Sequence, residues 1–297
     1  MTRMKRDHKG VVVPLVTPFR NSGNLDEKAM RKLTNYLIEK GIHILFPAGS
    51  TGEGWSLTRE ERKRVFEIVI EEAAGRVPVY AGTGAVTTRE TVFLTEMAED
   101  CGADAVIVIT PFYIAPTDNE LFKHYVTVAQ ATRLPVFPYN NPFRTGVAMS
   151  ADLVTRLSRI DNLAGIKDSG GNLALTTQFV NSTPSEFAVF QGRDDLFFPS
   201  LVIGASGLVA ATANVAPDLV LEIYKAFNAG DWKKAQKCQN QISKLRRALS
   251  LGTFPSVIKE AMTMLEMPVG SPRAPVGTLT RENRGRLRDV LTSMGVQ

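Results

Sequence analysis

The sequence predicts an α/β fold, a (β/α)8 TIM barrel followed by a C-terminal helical extension. Eight short apolar runs alternate with stretches of helical periodicity, and three of those stretches begin with the same capping signal. Strands separated by helices pair in parallel, and eight such units close into a barrel. We therefore assign residues 1–230 to a barrel domain and residues 231–297 to an extension of three helices.

The eight predicted strands are short runs dominated by apolar residues and bounded by polar, proline or glycine residues. This pattern is typical of strands that are buried on both faces of a parallel sheet. The strands are predicted at residues 11–16, 42–47, 77–81, 105–109, 135–139, 163–167, 187–191 and 207–210.

Helix starts are marked by side chains that can cap a first turn. Thr58, Thr87 and Thr117 each stand three residues before a glutamate, which is the spacing of a capping box. Asp26 and Ser150 are predicted to cap two further helices. The helices without such a box are predicted at residues 26–40, 194–203, 217–227, 232–251, 255–266 and 280–294.

The composition describes a globular chain with a slightly basic surface. With 297 residues, 44% of them hydrophobic, the chain can bury a large core. The net charge of +5 favours anionic substrates, but no aromatic residues interleave with the basic clusters, so we expect no nucleic-acid partner. The clusters are Arg3, Lys5 and Arg6 near the N-terminus and Arg281, Arg284, Arg286 and Arg288 in the last helix.

The positions of the cysteines and histidines limit which cellular compartment and which cofactors are expected. Cys101 and Cys238 are far apart and lie in predicted helices, which argues against a disulfide and predicts the reducing cytoplasm. No signal peptide and no apolar run of membrane-spanning length is visible. His8, His43 and His124 have no ligand spacing, so we expect neither a metal nor another cofactor.

Two neighbouring strands end on reactive side chains. The fifth predicted strand ends on Tyr139 and the sixth on Lys167. A lysine that closes an apolar strand is either a charge that reaches water or an amine kept for chemistry. Because the carboxyl ends of barrel strands meet at one rim, the amine and the phenol lie together, which favours the second interpretation.

An amine beside a phenol suits Schiff-base chemistry with a ketone. Lysine attacks a carbonyl only when neutral, and burial lowers its pKa from the usual value of about 10.4. Tyr139, linked to a hydroxyl such as that of Thr51, would move the protons that imine formation requires. The reaction then needs no organic or metal cofactor.

Two further features of the predicted rim are open to two interpretations. The loop Gly49-Ser50-Thr51-Gly52-Glu53 offers backbone N–H groups and hydroxyls as a cradle for a carboxylate, or it is a plain strand-to-helix turn. Arg144 is either a surface arginine or a bidentate grip on a substrate carboxylate.

Four ordered motifs, each at a strand end, resemble those of a known family. They read GSTGE, TPFY, YNNPFRTG and GIKDSGGN. The chain resembles, over nearly its whole length, the dihydrodipicolinate synthase and N-acetylneuraminate lyase family of class I pyruvate-dependent aldolases. The resemblance implies an imine between Lys167 and pyruvate, a proton relay through Tyr139 and Thr51, and a pyruvyl carboxylate held by Ser50 and Thr51.

The resemblance also implies an assembly and a second substrate. It implies a homotetramer, a dimer of dimers, in which Tyr113 of one subunit completes the relay of its neighbour. Main-chain groups of Gly192 and Val209 would line the pocket near the imine. Arg144 is typical of the synthases of this family, whose aldehyde, L-aspartate 4-semialdehyde, carries a distal carboxylate and yields 4-hydroxy-tetrahydrodipicolinate.

Other features leave alternatives open. The run Asp168-Ser169-Gly170 is more like that of sugar-acid aldolases, which cleave 2-keto-3-deoxygluconate or 4-hydroxy-2-oxoglutarate to pyruvate and an aldehyde. A silent barrel that only senses a 2-oxo acid is a hypothesis of another class, but the amine, the phenol and both hydroxyls are all present. At the family's lysine feedback site only Glu90 matches, so we expect no inhibition by lysine; the differing positions are Arg59, Arg62, Val86 and Phe112.

Overall fold

The eight strands form one parallel barrel. A computed structural model describes residues 8–296, so Arg3, Lys5 and Arg6 of the N-terminal basic cluster lie outside the described residues. Each strand pairs with its sequence neighbours, and β1 pairs with β8. Parallel bridging of Leu45 with Val79 joins β2 to β3 and closes the barrel. The strands are β1 Gly10–Pro14, β2 Ile44–Phe46, β3 Tyr80–Gly82, β4 Ala105–Ile109, β5 Val136–Asn140, β6 Gly165–Asp168, β7 Ala188–Gln191 and β8 Gly207–Val209.

Helices connect successive strands and cover the outside of the barrel. The predicted fold class is therefore confirmed. The helices are α1 Glu27–Glu39, α2 Arg59–Ala73, α3 Thr88–Asp100, α4 Asp118–Gln130, α5 Pro142–Thr145, α6 Ala151–Leu157, α7 Leu173–Ser182, α8 Phe197–Val202, α9 Pro217–Asn228, α10 Trp232–Ala248, α11 Ser256–Met264 and α12 Arg281–Met294.

The strands read as continuous apolar runs because both of their faces are buried. Inward-facing side chains such as Val12, Phe137 and Phe190 fill the barrel interior. Outward-facing side chains such as Val13 and Val106 pack against the surrounding helices. No alternation of polar and apolar residues is therefore expected.

Two helices escaped prediction, and one capping signal is used differently. α5 is a single turn, and α7 is an uncharged stretch of threonines and apolar residues whose start is capped by Asn172. Thr58 and Thr117 form complete capping boxes. Thr87 accepts the backbone N–H of Glu90, but the Glu90 carboxylate binds Arg59 instead of closing the box.

The three C-terminal helices pack on the barrel and share its largest hydrophobic core. Ile242, Val257 and Leu287 lie in the same cluster of buried side chains as Leu33 and Leu208 of the barrel. No helix among the described residues is long and apolar enough to cross a bilayer.

Candidate active site

Lys167 and Tyr139 lie side by side at the carboxyl ends of β6 and β5. The two residues are paired in the parallel register, so their side chains leave the sheet at one level. The Lys167 Nζ atom lies 3.7 Å from the centroid of the Tyr139 ring and 4.9 Å from that of Phe46. Only 5% of Lys167 and 4% of Tyr139 is exposed. The predicted proximity of amine and phenol is therefore present.

The pKa values of both members of this pair are lowered. Burial lowers the pKa of Lys167, although Tyr139 opposes the shift. Burial acts to raise the pKa of Tyr139, but Lys167 and hydrogen bonds with Ser169 and Ser50 outweigh it and lower the pKa overall. Lys167 therefore loses its proton at a lower pH than an exposed lysine does.

A buried carboxylate next to the lysine fixes the end of β6. Asp168 is fully buried and accepts hydrogen bonds from Asn140 Nδ2 at 2.8 Å, from the Gly170 backbone N–H at 2.9 Å and from Thr176 Oγ1 at 2.7 Å. The network ties β6 to β5 and to α7. Lys167 is thus presented from a rigid backbone, as a nucleophile requires.

A cavity of about 250 Å³, open to solvent on one side, adjoins the amine. Seven of the eight site residues named from the sequence line this cavity. They are Ser50, Thr51, Tyr139, Arg144, Lys167, Gly192 and Val209. The structure does not bring Tyr113 to the cavity of its own chain: its side chain is 97% exposed, and its backbone adopts a φ of 74° in the loop after β4.

The loop Gly49-Ser50-Thr51-Gly52-Glu53 is anchored at its C-terminal end by two contacts. Its Gly52 carbonyl accepts a hydrogen bond from Thr17 Oγ1 at 2.6 Å. Its Glu53 carboxylate is buried and lies 2.5 Å from Lys259 Nζ of α11. The hydroxyl of this loop that bonds to Tyr139 is that of Ser50, whereas Thr51 is a buried part of the cavity wall.

Close packing beneath the amine explains the glycine after β7. Gly192 donates its backbone N–H to the Asp168 carbonyl at 2.7 Å. A Cβ atom at this position would lie 2.1 Å from Ser169 Oγ and 3.1 Å from Lys167 Cε. Any larger residue would therefore displace the Ser169 hydroxyl and press against the lysine side chain.

Several cavity residues were not foreseen from the sequence. Asn141 donates from Nδ2 to the Tyr139 hydroxyl at 2.7 Å, and its place in the motif two residues after Tyr139 was a usable signal. Asp194 follows β7 and also lines the cavity. Arg246 and Phe254 come from the C-terminal extension, where nothing in the sequence marks them. The extension thus contributes to the cavity, which was not predicted.

A second cavity of about 570 Å³ shares Ser50, Tyr139 and Arg144 with the first. Its lining includes all five positions compared with the lysine feedback site. Arg59 donates from Nε to the Glu90 carboxylate at 2.9 Å, so the one matching acid is already paired. Within residues 8–296, no group of three or more His, Cys, Asp or Glu side chains is placed to hold a metal ion.

The fold and this site define the class of protein. A parallel barrel that packs a buried lysine against a tyrosine at the rim of adjacent strands is an enzyme of the class I aldolase type. The chain belongs to the dihydrodipicolinate synthetase family, whose family model matches residues 7–294. The resemblance found in the motifs is confirmed.

Relatives of known structure or curated sequence match along the full length. A 4-hydroxy-tetrahydrodipicolinate synthase of Methanothrix thermoacetophila is 42% identical over 96% of this chain and 97% of that protein. A dihydrodipicolinate synthase structure from Bacillus anthracis is 38% identical with a TM-score of 0.94, covering 97% of this chain and 98% of the other. A chloride-inhibited dihydrodipicolinate synthase from Acinetobacter baumannii, complexed with pyruvate, is 35% identical with a TM-score of 0.94, covering 97% and 99%.

Proposed function

We propose that this chain is a Schiff-base-forming lyase that condenses pyruvate with L-aspartate 4-semialdehyde to 4-hydroxy-tetrahydrodipicolinate. The observation that carries the proposal is the position of Lys167 Nζ, 3.7 Å from the centroid of the Tyr139 ring on the wall of a cavity. Full-length relatives that bear the name of this synthase support the choice of reaction.

In the first half of the reaction Lys167 forms the imine. Its neutral amine attacks C2 of pyruvate, the carbonyl oxygen takes up protons and leaves as water, and a C=N bond replaces the C=O bond. Tyr139 carries these protons, with Thr51 in the relay. The hydroxyls of Ser50 and Thr51 hold the pyruvyl carboxylate, and the main chain of Gly192 and Val209 lines the pocket beside the imine.

In the second half the imine acts as an electron sink. C3 loses a proton to Tyr139, and the resulting enamine attacks the aldehyde carbon, whose oxygen takes up a proton. The amino group of the semialdehyde then replaces the Lys167 nitrogen at C2, which closes the ring and frees the enzyme. One pyruvate and one semialdehyde thus give the cyclic product and one water. Arg144, at the rim of the same cavity, binds the distal carboxylate.

We also infer a homotetramer, a dimer of dimers, in the cytoplasm, in which Tyr113 completes the relay of a neighbouring subunit. Support comes from a tyrosine that is 97% exposed on a loop with φ of 74°, a backbone conformation that costs free energy. One solved relative is a monomeric variant of a dihydrodipicolinate synthase, so sedimentation of this chain is informative. A Tyr113→Phe tetramer of full activity would refute the relay.

The run Asp168-Ser169-Gly170 favours a second candidate function, the cleavage of a 2-oxo sugar acid. In this candidate the same imine chemistry releases pyruvate and an aldehyde. Ser169 carries the argument because its hydroxyl bonds to Tyr139 at the reaction centre. The two candidates share Lys167 and differ in the aldehyde.

Borohydride trapping followed by peptide mapping tests the chemistry that both candidates share. We expect a pyruvate adduct on Lys167 in the wild type and none in Lys167→Met. An adduct on another lysine would refute the assignment, and stabilisation by pyruvate without any reducible adduct would indicate a silent sensor. Turnover of pyruvate with L-aspartate 4-semialdehyde then tests the substrate. Activity only toward 2-keto-3-deoxygluconate or 4-hydroxy-2-oxoglutarate would replace the first candidate by the second.

A further inference from the structure

Three arginines line the cavity around Lys167, and they differ in how completely acidic side chains of the protein neutralise their charge. They are Arg144, Arg193 and Arg246. Arg193 is fully engaged: its Nε and Nη2 atoms donate to the two carboxylate oxygens of Asp195 at 3.1 and 2.9 Å. This bidentate pair leaves Arg193 little capacity for a ligand.

Arg246, on α10 of the C-terminal extension, lacks such a partner. Its Nε atom is buried, and no acceptor in the described part of the chain lies within hydrogen-bonding distance of it. The nearest acidic oxygen, Asp195 Oδ1, is 3.8 Å away and already accepts from Arg193. A buried N–H group without an acceptor is unfavourable, so its presence on a cavity wall points to an acceptor that a ligand brings.

Arg144 lies on another wall of the same cavity. The guanidinium carbon of Arg144 stacks 4.7 Å from the ring centroid of Phe254, which also lines the cavity. Surrounding protein and the positive charge of Arg246 both lower the pKa of Arg144, so the two guanidinium groups repel each other. An anion between them would relieve this repulsion.

The acids that face the arginines do not cancel their charge. Asp195 is shared between Arg193 and Arg246. Burial raises the pKa of Asp194, and its carboxylate already accepts from the backbone N–H and the hydroxyl of Thr212, at 2.8 and 2.7 Å. The cavity therefore keeps an excess of positive charge. This charge is additional to the hydroxyls of the loop around Ser50, which hold the pyruvyl carboxylate in the proposed function.

We infer that Arg246 is a specificity-determining residue which, together with Arg144, binds the distal carboxylate of the aldehyde substrate. The inference rests on the proposed function and extends it, because the C-terminal extension then takes a direct part in substrate choice. An aldehyde without a distal negative charge would make no use of Arg246.

Binding to the pyruvate-loaded enzyme tests this inference apart from turnover. The probe is succinic semialdehyde, which keeps the aldehyde and the distal carboxylate but lacks the amino group. Calorimetric titration should show at least about tenfold weaker binding to Arg246→Leu, since a hydrogen bond to a charged group is lost. The affinity of Arg246→Lys should lie between those of the wild type and Arg246→Leu, because lysine keeps the positive charge and loses the paired N–H donors of the guanidinium group.

Arg247→Leu is the matched control, because Arg247 is the exposed neighbour of Arg246 on α10. It should bind the probe as the wild type does. Butanal, which has no carboxylate, should bind the wild type and Arg246→Leu equally, and the trapped pyruvate adduct should form equally in both. Equal affinity of the wild type and Arg246→Leu for succinic semialdehyde would overturn the inference, as would equal losses for the probe and butanal. If the wild type does not turn over L-aspartate 4-semialdehyde but binds succinic semialdehyde as expected, only the proposed function is refuted.

Discussion

The Glu53 carboxylate and the Lys259 ammonium group form a buried ion pair, with an O–N distance of 2.5 Å and at most 1% of either side chain exposed. Glu53 ends the loop that carries Ser50 and Thr51, and it also accepts the backbone N–H of Arg273 at 2.8 Å. Lys259 belongs to α11. The pair therefore ties the loop that we propose holds the pyruvyl carboxylate to the C-terminal extension.

Removing the charge of one partner of this pair should destabilise the protein. We expect Glu53→Gln to lower the free energy of unfolding by about 3–5 kcal/mol, because a buried ammonium group loses its counter-charge. The pyruvate KM should rise as well, since the loop loses its anchor. Urea denaturation and steady-state kinetics provide the two measurements.

The double variant Glu53→Gln with Lys259→Met should recover part of the stability, because no buried charge then lacks a partner. Glu260→Gln is the control on the same helix. It breaks the Arg284–Glu260 pair, in which the arginine is 49% exposed, and should cost less than about 1 kcal/mol. A Glu53→Gln variant no less stable than this control would contradict the prediction.

Gly192→Ala should separate activity from stability. The added methyl group would meet Ser169 Oγ at 2.1 Å and Lys167 Cε at 3.1 Å, so Ser169 must move and the lysine side chain must shift slightly. We expect kcat to fall roughly 10- to 100-fold, as displaced catalytic groups do. Steady-state kinetics with saturating pyruvate measures the loss.

Gly285→Ala is the matched control. Gly285 lies inside α12, and a Cβ atom there would meet nothing within 4 Å. Activity should be unchanged, and the helix should gain about 1 kcal/mol in stability. Equal activity of the two alanine variants would show that the packing beneath Lys167 is not needed.

The pH dependence of imine formation should report the amine of Lys167. Only the neutral amine attacks, and burial lowers its pKa below the usual 10.5. The rate of imine formation should therefore rise with pH and level off below 10.5. Stopped-flow measurement with pyruvate gives the profile.

Tyr139→Phe should shift this profile to lower pH while reducing its maximum. The reason is that Tyr139 raises the pKa of Lys167, so its removal lets burial act alone. The phenylalanine keeps the ring on which Lys167 packs. A profile that moves to higher pH would contradict the interaction between the two groups.

His124 should make the fold sensitive to acid. It is 5% exposed, accepts or donates at Nδ1 with Thr88 Oγ1 at 2.9 Å, and burial lowers its pKa from 6.5 to about 4. Because the unfolded chain binds a proton at higher pH than the folded chain, stability is full above 6.5 and falls as the pH drops toward 4. The loss is at most about 3 kcal/mol.

His124→Gln should flatten this dependence, since glutamine does not titrate there. Urea midpoints at neutral pH and in mild acid compare the two proteins. Equal slopes for the wild type and the variant would mean that other groups cause the acid sensitivity.

The sequence predicted those site residues whose positions depend on the direction of the barrel strands. In a parallel barrel every strand delivers its carboxyl end to one rim, so topology alone predicted that Lys167 and Tyr139 lie together. The family resemblance added Gly192, Val209, the loop of Ser50 and Thr51, and the assignment of Arg144.

The remaining site residues depend on packing between segments distant in sequence. Arg246 lies on a helix with many basic residues, and only the way α10 packs on α9 decides which of them faces the cavity. Lys259 reads as one more charged residue of an amphipathic helix, although its partner Glu53 is far away in the chain. α7 carries neither charge nor strong periodicity, so its type was decided by tertiary contacts.

The residues that line the cavity come from two parts of the chain, the strands of the barrel and the C-terminal extension. Lys167 and Tyr139 lie in strands of the sheet, whereas Arg246 on α10 and Phe254 in the turn before α11 belong to the extension after the eighth strand. Redirecting this catalyst to an uncharged aldehyde therefore calls for changes in the appended segment as well as at Arg144, with Lys167 and Tyr139 left in place. Conversely, a chimera that carries a foreign C-terminal segment on this barrel would keep the imine chemistry and exchange one side of the aldehyde site.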